Sequence, residues 1–140
     1  MPSQQLDNLV RIGQLKAEAV TQAELDGLLR SGTARITDAE NLQLSLESRF
    51  DLAYNAAHAF SLAALRHHGY RSDNRYLVFQ SLQHTLGLAP AKWRVLDLAH
   101  KKRNLVEYEG SADLDTGLLE SLIRIAREIE RLVRGLPTLG

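Results

Sequence analysis

The chain contains no cysteine, which removes disulfide bridges, thiolate nucleophiles, iron–sulfur clusters and Cys-ligated zinc. Neither sign of charge is in excess. Seventeen Lys and Arg balance seventeen Asp and Glu, so no overall field gathers nucleic acid. Long uncharged apolar runs are missing, which excludes a helical membrane span. β-Branched residues are sparse and no stretch sustains period-two alternation, so helical signals dominate. Gly-rich phosphate loops, GxSxG and HExxH are all absent. The opening Met1-Pro2-Ser3-Gln4-Gln5-Leu6-Asp7 has neither the basic nor the apolar portion of a signal peptide, and the expected location is cytoplasmic.

What is present fits one soluble domain. At 140 residues a chain can bury roughly 68% of its unfolded surface and needs no covalent staple. Its 44% hydrophobic and 24% charged composition is that of a globular fold, not a disordered chain.

Caps and breakers divide the sequence into helices. A short one fits 4–12, closed by Gly13. Thr21 followed by Glu24 has capping-box spacing and opens a helix to about 42, with Gly32 as a candidate bend. Ser45 caps a helix over 46–68, stopped by Gly69. Ser72 or Asp73 caps one over 74–86, stopped by Gly87. Pro90 opens one over 90–109, before Gly110. Asp113 or Asp115 starts the last, 114–134, whose arginines lie toward its C-terminal end, where cations suit the macrodipole. The expected fold is all-α, an up-and-down helical bundle of about four main helices. Residues 1–20 form an N-terminal helical arm, 21–135 the bundle and 136–140 a loose tail. Phe50, Ala57, Phe60, Ala64, Leu82, Trp93, Leu96, Leu122, Ile125 and Ile129 are the expected core, although Trp93 projects near the polar face of its helix.

Two helices carry more than packing. On 46–68, Phe50, Ala53, Ala57, Phe60 and Ala64 make an apolar stripe. About 130° round, Asp51, Asn55 and His58 form a polar row that runs into Leu62 and Leu65. Such a row suits a cleft, a subunit interface or a hydrogen-bonded structural role. On 90–109, Val95, Leu98, Ala99, Leu105 and Val106 are read as the core face, opposite a row of Asp97, Lys101, Asn104 and Tyr108. His100, Arg103 and Glu107 lie beside that row. Arg103 and Glu107 have the spacing of a helical ion pair, whereas Asn104 in mid-helix suggests a hydrogen-bonding task. Lys92, Arg94, Lys101, Lys102 and Arg103 face a single acid, Asp97, between 92 and 103. They form either a basic patch or a solvated helix face. The five histidines, His58, His67, His68, His84 and His100, are scattered, and the neighbours His67 and His68 point to different faces. No metal site or cofactor is expected.

Arg49-Phe50-Asp51, Tyr54-Asn55-Ala56-Ala57, Gly69-Tyr70-Arg71, and then Arg103-Asn104 with Tyr108 ahead of a glycine together resemble the HEPN family (higher eukaryotes and prokaryotes nucleotide-binding). The resemblance covers roughly residues 21–134. It implies a small helical bundle, a homodimer facing across a cleft, and membership of toxin–antitoxin, RNA-defence or nucleotidyltransferase-partner systems. Many HEPN members are metal-independent ribonucleases in which the RNA 2′-OH attacks its own phosphate, Arg stabilises the phosphate charge and His moves protons. By resemblance, Arg103 matches the family's Arg and Asn104 its polar residue. Tyr108 stands where the five-residue spacing expects His. A tyrosine, with an ordinary pKa of about 10, is suited to hydrogen-bonding a phosphate or stacking on a base, and poorly suited to shuttling protons at neutral pH. Arg49, Asp51, Asn55, His58, Lys101 and Lys102 are expected to help bind nucleic acid. The leading expectation is therefore an RNA- or nucleotide-binding HEPN-like dimer, a ribonuclease if the altered site still cleaves. The alternative is a non-catalytic module that docks a partner protein, such as a minimal nucleotidyltransferase or an antitoxin.

Overall fold

A computed structural model describes residues 4–109 and 114–139, with side chains described for 4–106 and 114–139. The elements run α1 (Gln4–Arg11), β1 (Lys16–Ala17), α2 (Gln22–Ala39), α3 (Leu46–His67), β2 (Tyr70–Arg71), α4 (Arg75–Gln80), α5 (Leu82–Thr85), α6 (Pro90–Glu109) and α7 (Thr116–Arg134). The protein is an all-α helical bundle. Helix α3 is its axis, packed by α2, α6 and α7 and flanked by α4 and α5. Among the described residues no helix is long and apolar enough to cross a membrane.

Capping chemistry explains most of the boundaries. Thr21, Ser45 and Asp115 each accept a hydrogen bond from the backbone N–H three residues on, satisfying one of the donors that a helix start leaves open. The fourth start is capped by Asn74; Ser72 instead accepts from the Asn74 N–H. Asp113 lies outside the described residues. Gly69 and Gly87 have φ of 88° and 67°, the left-handed conformation that a helix exit favours and a side chain resists. The single helix expected over 74–86 is two, α4 and α5. They part at Ser81, whose hydroxyl donates to the Val78 carbonyl and competes with the helical ladder there.

The expected core is buried except at Trp93, which is half-buried. Trp93 packs edge-on to the exposed Tyr76 with ring centroids 6.1 Å apart. Gly32 does not break α2, which continues to Ala39. Its purpose is close approach: a Cβ there would lie 2.5–2.9 Å from the Phe60 ring carbons, so only glycine lets α2 settle on α3.

The apolar face of α6 is rotated from the expected one. Leu96 and Ala99 are buried, while Leu98 is 45% and Leu105 39% exposed. Two apolar sets compete on this weakly amphipathic helix, and Leu96 with Ala99 packs with the buried faces of α3 and α7. That leaves Leu98 and Leu105, seven residues apart and on one line of the helix, facing solvent.

The N-terminal arm is tied to the bundle. Leu6 and Leu15 share a second apolar cluster with Leu65, Tyr70 and Val78, and β1 pairs antiparallel with β2. This two-residue ladder is too short to leave an alternation signal in sequence. Arg66, 1% exposed, pins the junction. It donates to both Glu24 carboxylate oxygens at 2.6 and 3.1 Å and to the carbonyls of Glu18, Ala19 and Tyr70 at 2.9, 2.7 and 3.2 Å. These bonds engage all five guanidinium N–H groups. Glu24 was expected to complete a capping box with Thr21; its carboxylate goes to Arg66 instead, because a bidentate charge-assisted pair outweighs a bond to a neutral N–H. After Gly135 the segment expected to be a loose tail makes contacts: Leu136 and Leu139 rest on the core, and His67 Nε2 lies 2.7 Å from the Pro137 carbonyl.

Candidate functional site

Helices α3, α4 and α6 bring one polar cluster together around a buried tyrosine. Tyr54 is fully enclosed, between Asp51 and Asn55 on α3. Its hydroxyl lies 2.7 Å from His100 Nδ1 on α6, and the other ring nitrogen of His100 is 3.4 Å from Asn104 Nδ2, one turn along. Two arginines lie over the Tyr54 ring. Arg75, the first residue of α4, has its guanidinium carbon 5.3 Å from the ring centroid, and Arg103 on α6 is at 5.6 Å. Both distances are within cation–π range. Arg75 donates to Asn55 Oδ1 at 2.9 Å, and Asn55 in turn donates to the Asp51 carbonyl. The Arg103 Nε is 3.7 Å from Asp51 Oδ1, a long ion pair whose acid is 58% exposed. Phe79 closes the floor, edge-on to both Tyr54 and His58 at 5.8 and 6.0 Å.

The electrostatics follow from this packing. Burial pushes His58 down to about 4, and the positive Arg75 and the His100 ring push the same way. Burial also lowers His100; Asp97 opposes this, while Arg75, Arg103 and Lys101 reinforce it. Both histidines are therefore neutral at pH 7. Burial raises the Tyr54 hydroxyl, against the pull of Arg75, which keeps it protonated. The charged groups of the cluster are then the two guanidiniums and the Asp51 carboxylate. Among the described residues no carboxylate pairs with Arg75.

The residues singled out from sequence divide. Asp51, Asn55, His58, Arg103 and Asn104 belong to this cluster. Arg49 is engaged elsewhere, donating at 2.8 Å to the Ala39 carbonyl, where a cation suits the C-terminal end of α2. Lys101 pairs with Asp97 at 3.1 Å and is well exposed. Lys102 falls on the line of Leu98 and Leu105, away from Asn104. Tyr108 lies in α6, but its side chain, like that of Glu107, is outside the described residues. Three members were missed or set aside in sequence. Tyr54 lies only about 60° from the Asp51–Asn55–His58 row on a helical projection, a signal available and unused. His100, placed only beside the polar row of its helix, makes the central contact. Arg75 gave no local signal, since α4 brings it in from a separate segment. Arg71, four residues earlier, pairs with Glu18 at 3.1 Å instead.

Beside the cluster, at the start of α3, a groove of about 650 Å3 is walled by Leu44, Leu52, Val106 and Leu114, with Glu47, Asp51 and Arg103 among its lining. Among the described residues no group of three or more His, Asp or Glu is placed to hold a metal ion. No family model, no curated protein and no solved structure matches the chain.

Proposed function

We propose that the α3–α4–α6 face binds RNA or a nucleotide, with Arg75 and Arg103 holding phosphate. The observation that carries this reading is the convergence of the two guanidiniums over Tyr54, beside two neutral histidines. Guanidiniums suit phosphate because their planar fork of N–H donors matches its oxygens. The histidine rings and the Asn104 amide add donors or acceptors for ribose or phosphate, and the resemblance to the HEPN family points to RNA as the polymer. On this reading His100 and Tyr108 are the residues to test for proton transfer if the bound RNA is cleaved. The experiment is binding of a short single-stranded RNA in EDTA, with cleavage followed in the same samples. Arg75→Ala and Arg103→Ala are expected to weaken binding while the fold survives. Unchanged binding in both variants would rule the site out.

A second reading rests on a different observation. Leu98 and Leu105 form an exposed apolar line on α6, which fits a homodimer contact or a docked partner protein. Light scattering on the wild type and on Leu98→Glu tests the dimer directly. An apolar contact of this kind keeps its strength as salt rises, whereas phosphate binding falls.

A further inference from the structure

The groove at the start of α3 has a mixed lining. Leu44, Leu52, Val106 and Leu114 wall it with apolar surface, while Arg103 stands at its boundary with the cationic cluster. Glu47 and Asp51, one helical turn apart, place carboxylates in the same lining. Among the described residues nothing hydrogen-bonds the Glu47 carboxylate. A bare phosphate would use Arg103 and leave the apolar walls wet. A planar base attached to that phosphate would cover them, and its N–H edge would meet the acids. Of the common bases, guanine alone offers adjacent ring and amino N–H donors that one carboxylate can accept together.

We infer that this groove is a nucleobase subsite, selective for guanine, beside the phosphate site on Arg103. The inference rests on the phosphate-binding reading above and adds to it a place and a preference for the base. A base is engaged only when unpaired, so single-stranded RNA or a free nucleotide is the ligand class, not duplex RNA.

Titration calorimetry on the full chain at low salt compares GMP, UMP and ribose 5-phosphate. GMP is expected to bind about tenfold more tightly than ribose 5-phosphate, the size of one base contact, with UMP between them. Leu44→Glu replaces a side chain at the end of the α2–α3 turn that is already partly exposed, so folding tolerates it, as a melting curve checks. It is expected to bring the GMP to ribose 5-phosphate ratio toward one, and Glu47→Gln to bring the GMP to UMP ratio toward one. Equal affinities for GMP and ribose 5-phosphate in the wild type would overturn the base subsite and leave the phosphate reading standing. A GMP preference that survives Leu44→Glu would put the base elsewhere and overturn it too. Binding of none of the three would overturn both.

Discussion

Two arginine-rich regions of this protein make opposite use of the same side chain. Where the arm meets the bundle, Arg66 is enclosed and every N–H it has reaches a carbonyl or a carboxylate. On the α3–α4–α6 face, Arg75 and Arg103 lie on an aromatic ring near the surface, one bonded to a neutral amide and one in a long pair with an exposed acid. The first arrangement saturates the guanidinium and leaves it nothing to do but hold the fold. The second holds its two guanidiniums against the Tyr54 ring by packing as well as by polar contacts. Burial and partners thus set the enclosed Arg66 apart from the partly exposed pair proposed to hold phosphate.

The largest effect should come from the saturated end. Arg66→Met strands several buried carbonyls and the Glu24 carboxylate, and urea unfolding is expected to show a loss of about 3–5 kcal/mol. A loss under 1 kcal/mol would mean that Arg66 is not the staple described. The α3–α4–α6 face should instead reveal itself through pH. Unfolded histidine titrates near its ordinary value, whereas folded His58 titrates at about 4. Between those values the unfolded state binds more protons, so stability rises with pH. Its contribution is complete above about pH 6.5 and is lost progressively as pH falls toward 4, up to about 3 kcal/mol. His100 acts in the same direction. His58→Leu is expected to shrink the difference between unfolding midpoints at pH 7 and pH 5; an undiminished difference would place the acid sensitivity in other groups.

The third test addresses the side of α3 that faces α2. Gly32→Ala forces the Phe60 ring to move and is expected to cost about 1–3 kcal/mol. Pairing it with Phe60→Leu should recover part of that loss, and strict additivity would show that the two do not touch. The smallest effect belongs to Tyr54→Phe, which removes the bond to His100 and is expected to cost about 1 kcal/mol. Its clearer readout is the His100 ring in NMR, whose titration should move when its Nδ1 partner is removed.

How much of this was legible in the sequence differs between the same regions. Helix ends were readable because caps and glycines act locally, as at Thr21, Ser45, Asp115 and Gly69. The α3 core stripe was readable from its period. The face of α6 was not, since Leu98 and Leu105 compete with Leu96 and Ala99 and only the packed neighbours decide between them. The polar half of the site on α3 was visible as a row, Asn104 as an anomaly in mid-helix, and Arg103 through the family resemblance. Arg75 was not, because its partners lie on other helices. The Arg66 network was hidden for a related reason: its acceptors are mostly backbone carbonyls, which sequence does not mark.

The salt dependence of RNA binding tests the proposed phosphate site most directly. Affinity for a short single-stranded RNA should fall as salt rises, and log K against log salt should lose about 0.7 of slope for each phosphate contact removed. Arg75→Ala and Arg103→Ala are each expected to flatten the line by roughly that amount, while Arg35→Ala, an exposed arginine on α2 remote from the cluster, leaves the slope unchanged. Slopes that do not move in Arg75→Ala and Arg103→Ala, in well-folded protein, would contradict the claim that these two arginines form a phosphate site.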